Sequence, residues 1–187
     1  MRIIGGARRG LRLAEVGEGD ATAHLRPTSD RVREAIFNLL INGGHGNPVT
    51  GARVLDLFAG TGALGLEALS RGAAEVCFVD DGAKALALIR ANVAKMRVEG
   101  ETKVLRQDAT RLGANAGVPF TLVFLDPPYG KGMGQASLTA ALRGGWIAPG
   151  AMIVWEEGAA PVVPEGFSQV DQRKYGDTVV TLLRTPE

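Results

Sequence analysis

Beyond residue 52 the chain alternates short apolar runs with longer stretches whose apolar residues recur at helical spacing. Val54 to Phe58 predicts a strand, about Ala63 to Arg71 a helix stopped by Gly72, and Val76 to Asp80 a second strand. From about Ala83 to Met96, Leu86, Ile89, Val93 and Met96 fall on one helical face. Lys103 to Arg106 and Thr121 to Asp126 predict further strands, Gln135 to Arg143 a helix, and Met152 to Trp155 another strand. The last two strands, Ser168 to Lys174 and Thr178 to Leu183, meet at Tyr175-Gly176-Asp177, a link short enough only for antiparallel neighbours.

Ahead of this alternation, Val32, Ala35, Ile36, Leu39 and Leu40 mark an amphipathic helix ending at Gly43-Gly44. Thr28 and Asp30 are the expected caps of its free N–H groups. Residues 1 to 16 read as a hairpin of two extended pieces, Arg2 to Ile4 and Leu11 to Val16, with polar, irregular chain at 17 to 25. The expectation is one α/β domain of residues 1–187: hairpin 1–16, helix 27–42, and a doubly wound core over 53–187. Its sheet is mostly parallel and closes on an antiparallel C-terminal hairpin.

Composition adds three constraints. No run of about 18 apolar residues suggests a membrane span. The lone cysteine, Cys77, lies in an apolar stretch and suits a reducing cytosol, so a cytoplasmic location is expected. His24 and His45 stand apart from any Cys or carboxylate cluster, and no metal is expected. The net charge of +1 conceals an asymmetry: Arg2, Arg8, Arg9 and Arg12 carry no nearby acid, leaving 17 basic against 20 acidic residues elsewhere. Such a cluster is either a solvated tail or a phosphate-tracking arm.

The turn after the first core strand reads Asp56-Leu57-Phe58-Ala59-Gly60-Thr61-Gly62-Ala63-Leu64-Gly65, with Asp80 20 residues beyond Gly60. Strand, glycine turn, helix and a distal acid also describe a dinucleotide site, so an oxidoreductase is the rival reading. Two features oppose it. Asp56 would repel a pyrophosphate at the helix N-terminus but suits a ligand with an ammonium group. A later strand ends in Asp126-Pro127-Pro128-Tyr129, which hydride transfer does not require. The glycine loop resembles motif I of class I methyltransferases, and Asp-Pro-Pro-Tyr resembles motif IV of their amino-methylating group. That resemblance implies a seven-stranded Rossmann-like sheet and S-adenosylmethionine as cofactor. It further implies that Asp56 and Ala59, Gly60, Thr61 and Gly62 hold its methionine part, Asp80 its ribose and Asp108 its adenine.

An exocyclic amine of a nucleobase is a poor nucleophile because its lone pair is delocalised into the ring. Two acceptors directed at its hydrogens localise that pair, and the Asp126 carboxylate and Pro127 carbonyl are candidates; the two prolines rigidify the turn. Tyr129 offers a ring for stacking. These motifs leave DNA adenine, RNA guanine and protein glutamine as targets. Arg26-Pro27-Thr28-Ser29-Asp30-Arg31-Val32-Arg33-Glu34-Ala35-Ile36-Phe37-Asn38-Leu39-Leu40, the opening Met1 to Gly6, Leu69 to Ala73 and Pro127 to Lys131 resemble the RsmD family of bacterial 16S ribosomal RNA guanine-N2 methyltransferases. The resemblance implies 16S rRNA as the substrate; a monomer is expected, and one short basic arm suits an assembled small-subunit ribonucleoprotein particle, with naked RNA the alternative. Arg26 and Thr28 would line the cofactor cleft, and Arg2, Arg8, Arg9, Arg12, Arg31 and Lys131 would face RNA. The alternatives are a DNA adenine-N6 methyltransferase and a non-catalytic RNA-binding protein on the same fold.

Overall fold

The computed structural model describes residues 1–15 and 28–187; Arg26 and the irregular stretch expected at 17 to 25 lie outside the described residues. In chain order the regular elements are α1 (Asp30–Asn42), β1 (Arg53–Leu57), α2 (Ala63–Ser70), β2 (Glu75–Asp80), α3 (Ala83–Met96), β3 (Thr102–Arg106), β4 (Phe120–Leu125), α4 (Met133–Arg143), β5 (Ile147–Glu157), β6 (Ser168–Tyr175) and β7 (Thr178–Arg184). The seven strands form one sheet in the order β3-β2-β1-β4-β5-β7-β6. The first five are mutually parallel, while β7 runs antiparallel to both β5 and β6. Among the described residues no helix is long and apolar enough to cross a membrane.

Period-two alternation along the strands feeds two cores. Val54, Val76, Phe78, Phe124 and Val154 face α1, α2 and α3 through Ile36, Phe37, Leu40, Leu66 and Ile89. Leu55, Leu57, Val123, Leu125, Ile153 and Trp155 face α4 through Leu138 and Ala141. Helices on both faces explain why the central strands are mostly apolar on both sides. Gly65 lets α2 lie close on the sheet: a Cβ there would sit 2.5 Å from the Phe78 ring and 2.7 Å from Val76. The α1 cap differs from expectation. Ser29 caps the helix by accepting the Val32 N–H at 3.2 Å, which frees the Thr28 hydroxyl for other partners.

The N-terminal arm is a reduced hairpin. A single antiparallel bridge joins Arg2 to Arg12 around a 3-10 turn at Gly6–Arg8. The arm is no solvated tail: it is docked on α2 and α3 by buried polar groups. Glu67, fully buried on α2, accepts the N–H groups of Ile4 at 2.9 Å and Gly5 at 2.8 Å and the Arg71 Nε–H at 2.8 Å. Arg33, also fully buried, reaches Asp30, the Arg2 carbonyl and Glu67. Asn92 of α3 binds both backbone groups of Ala14 and donates to the Thr61 carbonyl at 2.9 Å, which ties the arm to the glycine turn. Gly6 has φ +76°, and a Cβ there would overlap the Ser70 carbonyl, so only glycine fits this approach.

Candidate active site

The strand order reverses between β1 and β4, and open α/β sheets bind ligands at such a switch point, beyond the carboxyl ends of the strands. A cleft of about 930 Å³ lies there. The turn leaving β1 passes through Phe58 at φ +56°, a left-handed conformation that costs a non-glycine residue on the order of 1 kcal/mol. Its ring, with Ala59, Gly60 and Thr61, lines the cleft, while Gly62 closes the turn by donating its N–H to the Ala59 carbonyl at 2.7 Å. Asp56, buried on β1, accepts the Gly65 N–H at 3.0 Å. Burial holds its pKa well above the usual carboxylate range against that hydrogen bond, and Asp126 and Asp80 push the same way. A cation beside Asp56 would reverse this and favour its ionised form.

Asp80 ends β2 at the same edge. Its two oxygens accept the Gly60 and Gly82 N–H groups, each at 2.9 Å, binding the glycine turn to the next strand end. Burial raises its pKa despite those bonds. Asp108 follows β3 and caps a 3-10 turn by accepting the Thr110 N–H at 2.8 Å and hydroxyl at 2.7 Å, which hold its pKa below the ordinary value. Asp56, Asp80, Asp81, Asp108, Asp126, Glu156 and Asp177 all line the cleft, with Lys84 the cation among the described lining residues. A dinucleotide's pyrophosphate would meet mostly negative charge here. S-adenosylmethionine, carrying an ammonium and a sulfonium beside an apolar adenine, matches this donor set and the apolar wall of Phe58, Leu64, Val79 and Ala109.

The reacting end follows β4. Asp126 is half-buried, Pro127 buried, and both line the cleft with Pro128 and Tyr129. The Tyr129 ring lies on Gly158, where a Cβ would stand 3.0 Å from it, and its hydroxyl meets Thr178 Oγ1 of β7 at 3.3 Å. The antiparallel hairpin thus supports one side of the ring, and Tyr175, Asp177 and Thr178 complete the wall. Sequence reasoning missed Glu156. Leu125 pairs with Trp155, which sets Asp126 beside Glu156 one residue on. The Thr28 Oγ1 spans the two carboxyl groups, 3.2 Å from Asp126 Oδ2 and 3.2 Å from Glu156 Oε1. Thr28 therefore lines the cleft, as expected, on the side of Asp126 and Glu156. Burial raises the Glu156 pKa well above its ordinary value, with the Asp126 charge adding to the shift. A glutamate inside an apolar strand, Val154-Trp155-Glu156, was the available signal.

The basic residues divide by place. Arg31 and Lys131 are exposed and adjoin cleft-lining Val32 and the Tyr129 turn. Arg2, Arg8, Arg9 and Arg12 are exposed but outside the cleft. Arg8 Nε donates to the Met96 carbonyl at 3.1 Å, at the end of α3, whose first residue lines the cleft.

The family described as conserved hypothetical protein 95 matches residues 1–184. Ribosomal RNA small subunit methyltransferase D of Escherichia coli strain K12 is 37% identical over 98% of this chain and 89% of its own. The protein of the same name from Haemophilus influenzae is 33% identical over 94% of this chain and 89% of its own. The solved Escherichia coli protein yhhF superposes with a TM-score of 0.83 at 34% identity, covering 100% of this chain and 98% of that one. With a match along nearly its whole length and these full-length relatives, the chain belongs to the family of conserved hypothetical protein 95 and is an S-adenosylmethionine-dependent methyltransferase.

Proposed function

We propose that the protein methylates the exocyclic N2 of a guanine in 16S ribosomal RNA, acting as a monomeric, single-domain cytoplasmic enzyme on a small-subunit particle. The observation that carries this reading is the meeting of Asp126, Pro127 and Tyr129 with the glycine turn in one acidic cleft. The relatives' names support the RNA, since they denote small-subunit ribosomal RNA methyltransferases. Guanine suits the acceptors: its N2 amino group and N1–H form adjacent donors, whereas adenine's amino group adjoins an acceptor nitrogen. Asp126 and Asp177 both line the cleft as acceptors for such an edge.

The bound cofactor supplies a methyl group already activated by its sulfonium. The protein's part is positioning and electrostatics. Asp126 and the Pro127 carbonyl draw the amino hydrogens and localise the nitrogen lone pair, and Tyr129 stacks on the base. Asp56 faces the ammonium, Asp80 the ribose hydroxyls and Asp108 the adenine amine. Arg31 and Lys131 meet phosphates at the rim, because the interior repels them.

The direct test offers the protein and S-adenosylmethionine to naked 16S rRNA, small-subunit particles and duplex DNA, then maps methylated nucleotides by mass. Label at guanine N2 of the 16S rRNA, stronger on particles, is the expected outcome. Label on adenine in DNA alone would replace this reading with the DNA enzyme.

A second expectation concerns the arm. Replacing Arg2, Arg9 and Arg12 together by Ala, with Arg8 kept for its bond to Met96, weakens particle binding while cofactor affinity stays constant. The slope of log affinity against log salt flattens by up to about 0.7–0.9 for each phosphate that is no longer neutralised. Coincident slopes for the two proteins would show that these arginines touch no phosphate.

A further inference from the structure

The neighbours of Thr28 require a proton that its own hydroxyl does not supply. Its Oγ1 lies 3.2 Å from Asp126 Oδ2, and 3.2 and 3.4 Å from the two oxygens of Glu156. Linking three oxygen centres by two hydrogen bonds takes two hydrogens, and a threonine hydroxyl carries one. With both carboxyl groups ionised, one short approach would set lone pair against lone pair. One of the two acids therefore carries the second hydrogen. Burial says which: Glu156 is 2% exposed, whereas Asp126 is half-buried beside the open cleft.

The charges around Glu156 agree. Asp126 beyond β4 faces it as a like charge, and Asp56 of β1, whenever ionised, adds to that repulsion. Among the described residues Arg33 of α1 is the cation that acts on it, and that guanidinium is already committed to Asp30 and Glu67. Among the described residues, burial and the Asp126 carboxylate outweigh one shared cation, so the neutral acid is the stable form.

We infer that Glu156 is a positioning residue for methyl transfer: its carboxyl O–H donates to Thr28 Oγ1, and the Thr28 hydroxyl in turn donates to Asp126. This inference rests on the proposed role of Asp126. The direction of the chain matters to that role. An amine that gains a methyl group forms one N–C bond as the C–S bond breaks, and the nitrogen then sheds one proton. An ionised Asp126 accepts the amino hydrogens beforehand and is the adjacent acceptor for that proton. A protonated Asp126 would do neither. By keeping the shared hydrogen on the buried side, Glu156 leaves the negative charge at the cleft.

Infrared spectroscopy of the intact protein in deuterated buffer at neutral pH reads this directly. The protonated-carboxyl absorption decreases in Glu156→Gln and persists in Asp126→Asn, with Asp56→Asn recorded to assign the other buried acid. If the Glu156→Gln band superimposes on that of the unaltered protein, Glu156 is ionised and the inference fails. Methyl-transfer kinetics give the second readout. Thr28→Val and Glu156→Leu lower kcat by about tenfold, the scale of one missing oriented hydrogen bond, with little change in cofactor Kd. Thr28→Ser and Glu156→Gln, which keep a hydroxyl or a neutral donor, recover most of that loss. Equal losses for Leu and Gln at 156, or none for either, would overturn the inference. If instead Asp126→Ala retains full activity, the proposed site itself is wrong, and the infrared result stands apart from it.

Discussion

Replacing Asp126 by Ala should abolish methyl transfer, lowering kcat by at least about 10²–10³-fold, while S-adenosylmethionine binds nearly as before. The expectation follows from place and chemistry. Asp126 stands directly after β4 at the switch point, where it lines the cleft and shares Thr28 with Glu156. A delocalised amine requires an acceptor oriented before reaction, and alanine offers none. In the proposed site the cofactor is held chiefly by the glycine turn, Asp56, Asp80 and Asp108, which the substitution leaves untouched. Calorimetric titration beside a tritium-transfer assay separates the two effects, and full transfer by the variant would refute the proposed site. Tyr129→Ala should fail as well. Tyr129→Phe should be far milder, because it keeps the ring on Gly158 and gives up only the hydroxyl's approach to Thr178.

Glu67→Ala should destabilise the fold by about 3–5 kcal/mol without touching the cleft, since Glu67 does not line it. Glu67 is fully buried and carries the Ile4 and Gly5 amides, Arg71 Nε and part of the Arg33 charge. Truncation leaves a buried guanidinium with Asp30 as its remaining counter-charge nearby and strips two arm amides of their acceptor. At roughly 2–4 °C per kcal/mol for a chain of this size, the unfolding midpoint should fall by about 10 °C. The arm should also loosen first, so that trypsin cuts at Arg8 and Arg9 under conditions where the intact protein resists. A loss below about 1 kcal/mol would show that the arm is held by its apolar residues, Ile3 and Leu13, and not by this cluster.

Elements set by local pattern were legible in the sequence itself. The helix read over Ala83 to Met96 is α3 residue for residue, because its apolar face repeats every three to four positions. The glycine turn, Asp80 and Asp126-Pro127-Pro128-Tyr129 sit at strand ends as read, since an acid or proline after an apolar run marks where a strand leaves the core. The antiparallel closing hairpin was also legible, because so short a link permits no other geometry.

What escaped the sequence depended on residues far apart in the chain. Glu156 reaches Asp126 through the register of β5 on β4, and α4 and its loops separate those strands. Thr28 meets Asp126 and Glu156 because Ser29 took the capping role, a choice between neighbours that propensity does not resolve. The arm's four arginines suggested a solvated segment or an RNA grip. Its docking instead rests on Glu67, Arg33 and Asn92, ordinary polar residues on helices until the tertiary fold buried them. Periodicity reports which face of an element turns inward. Which polar group inside that face meets which partner is decided only when the elements pack, because burial there makes each unpaired hydrogen bond or charge too costly to leave unmet.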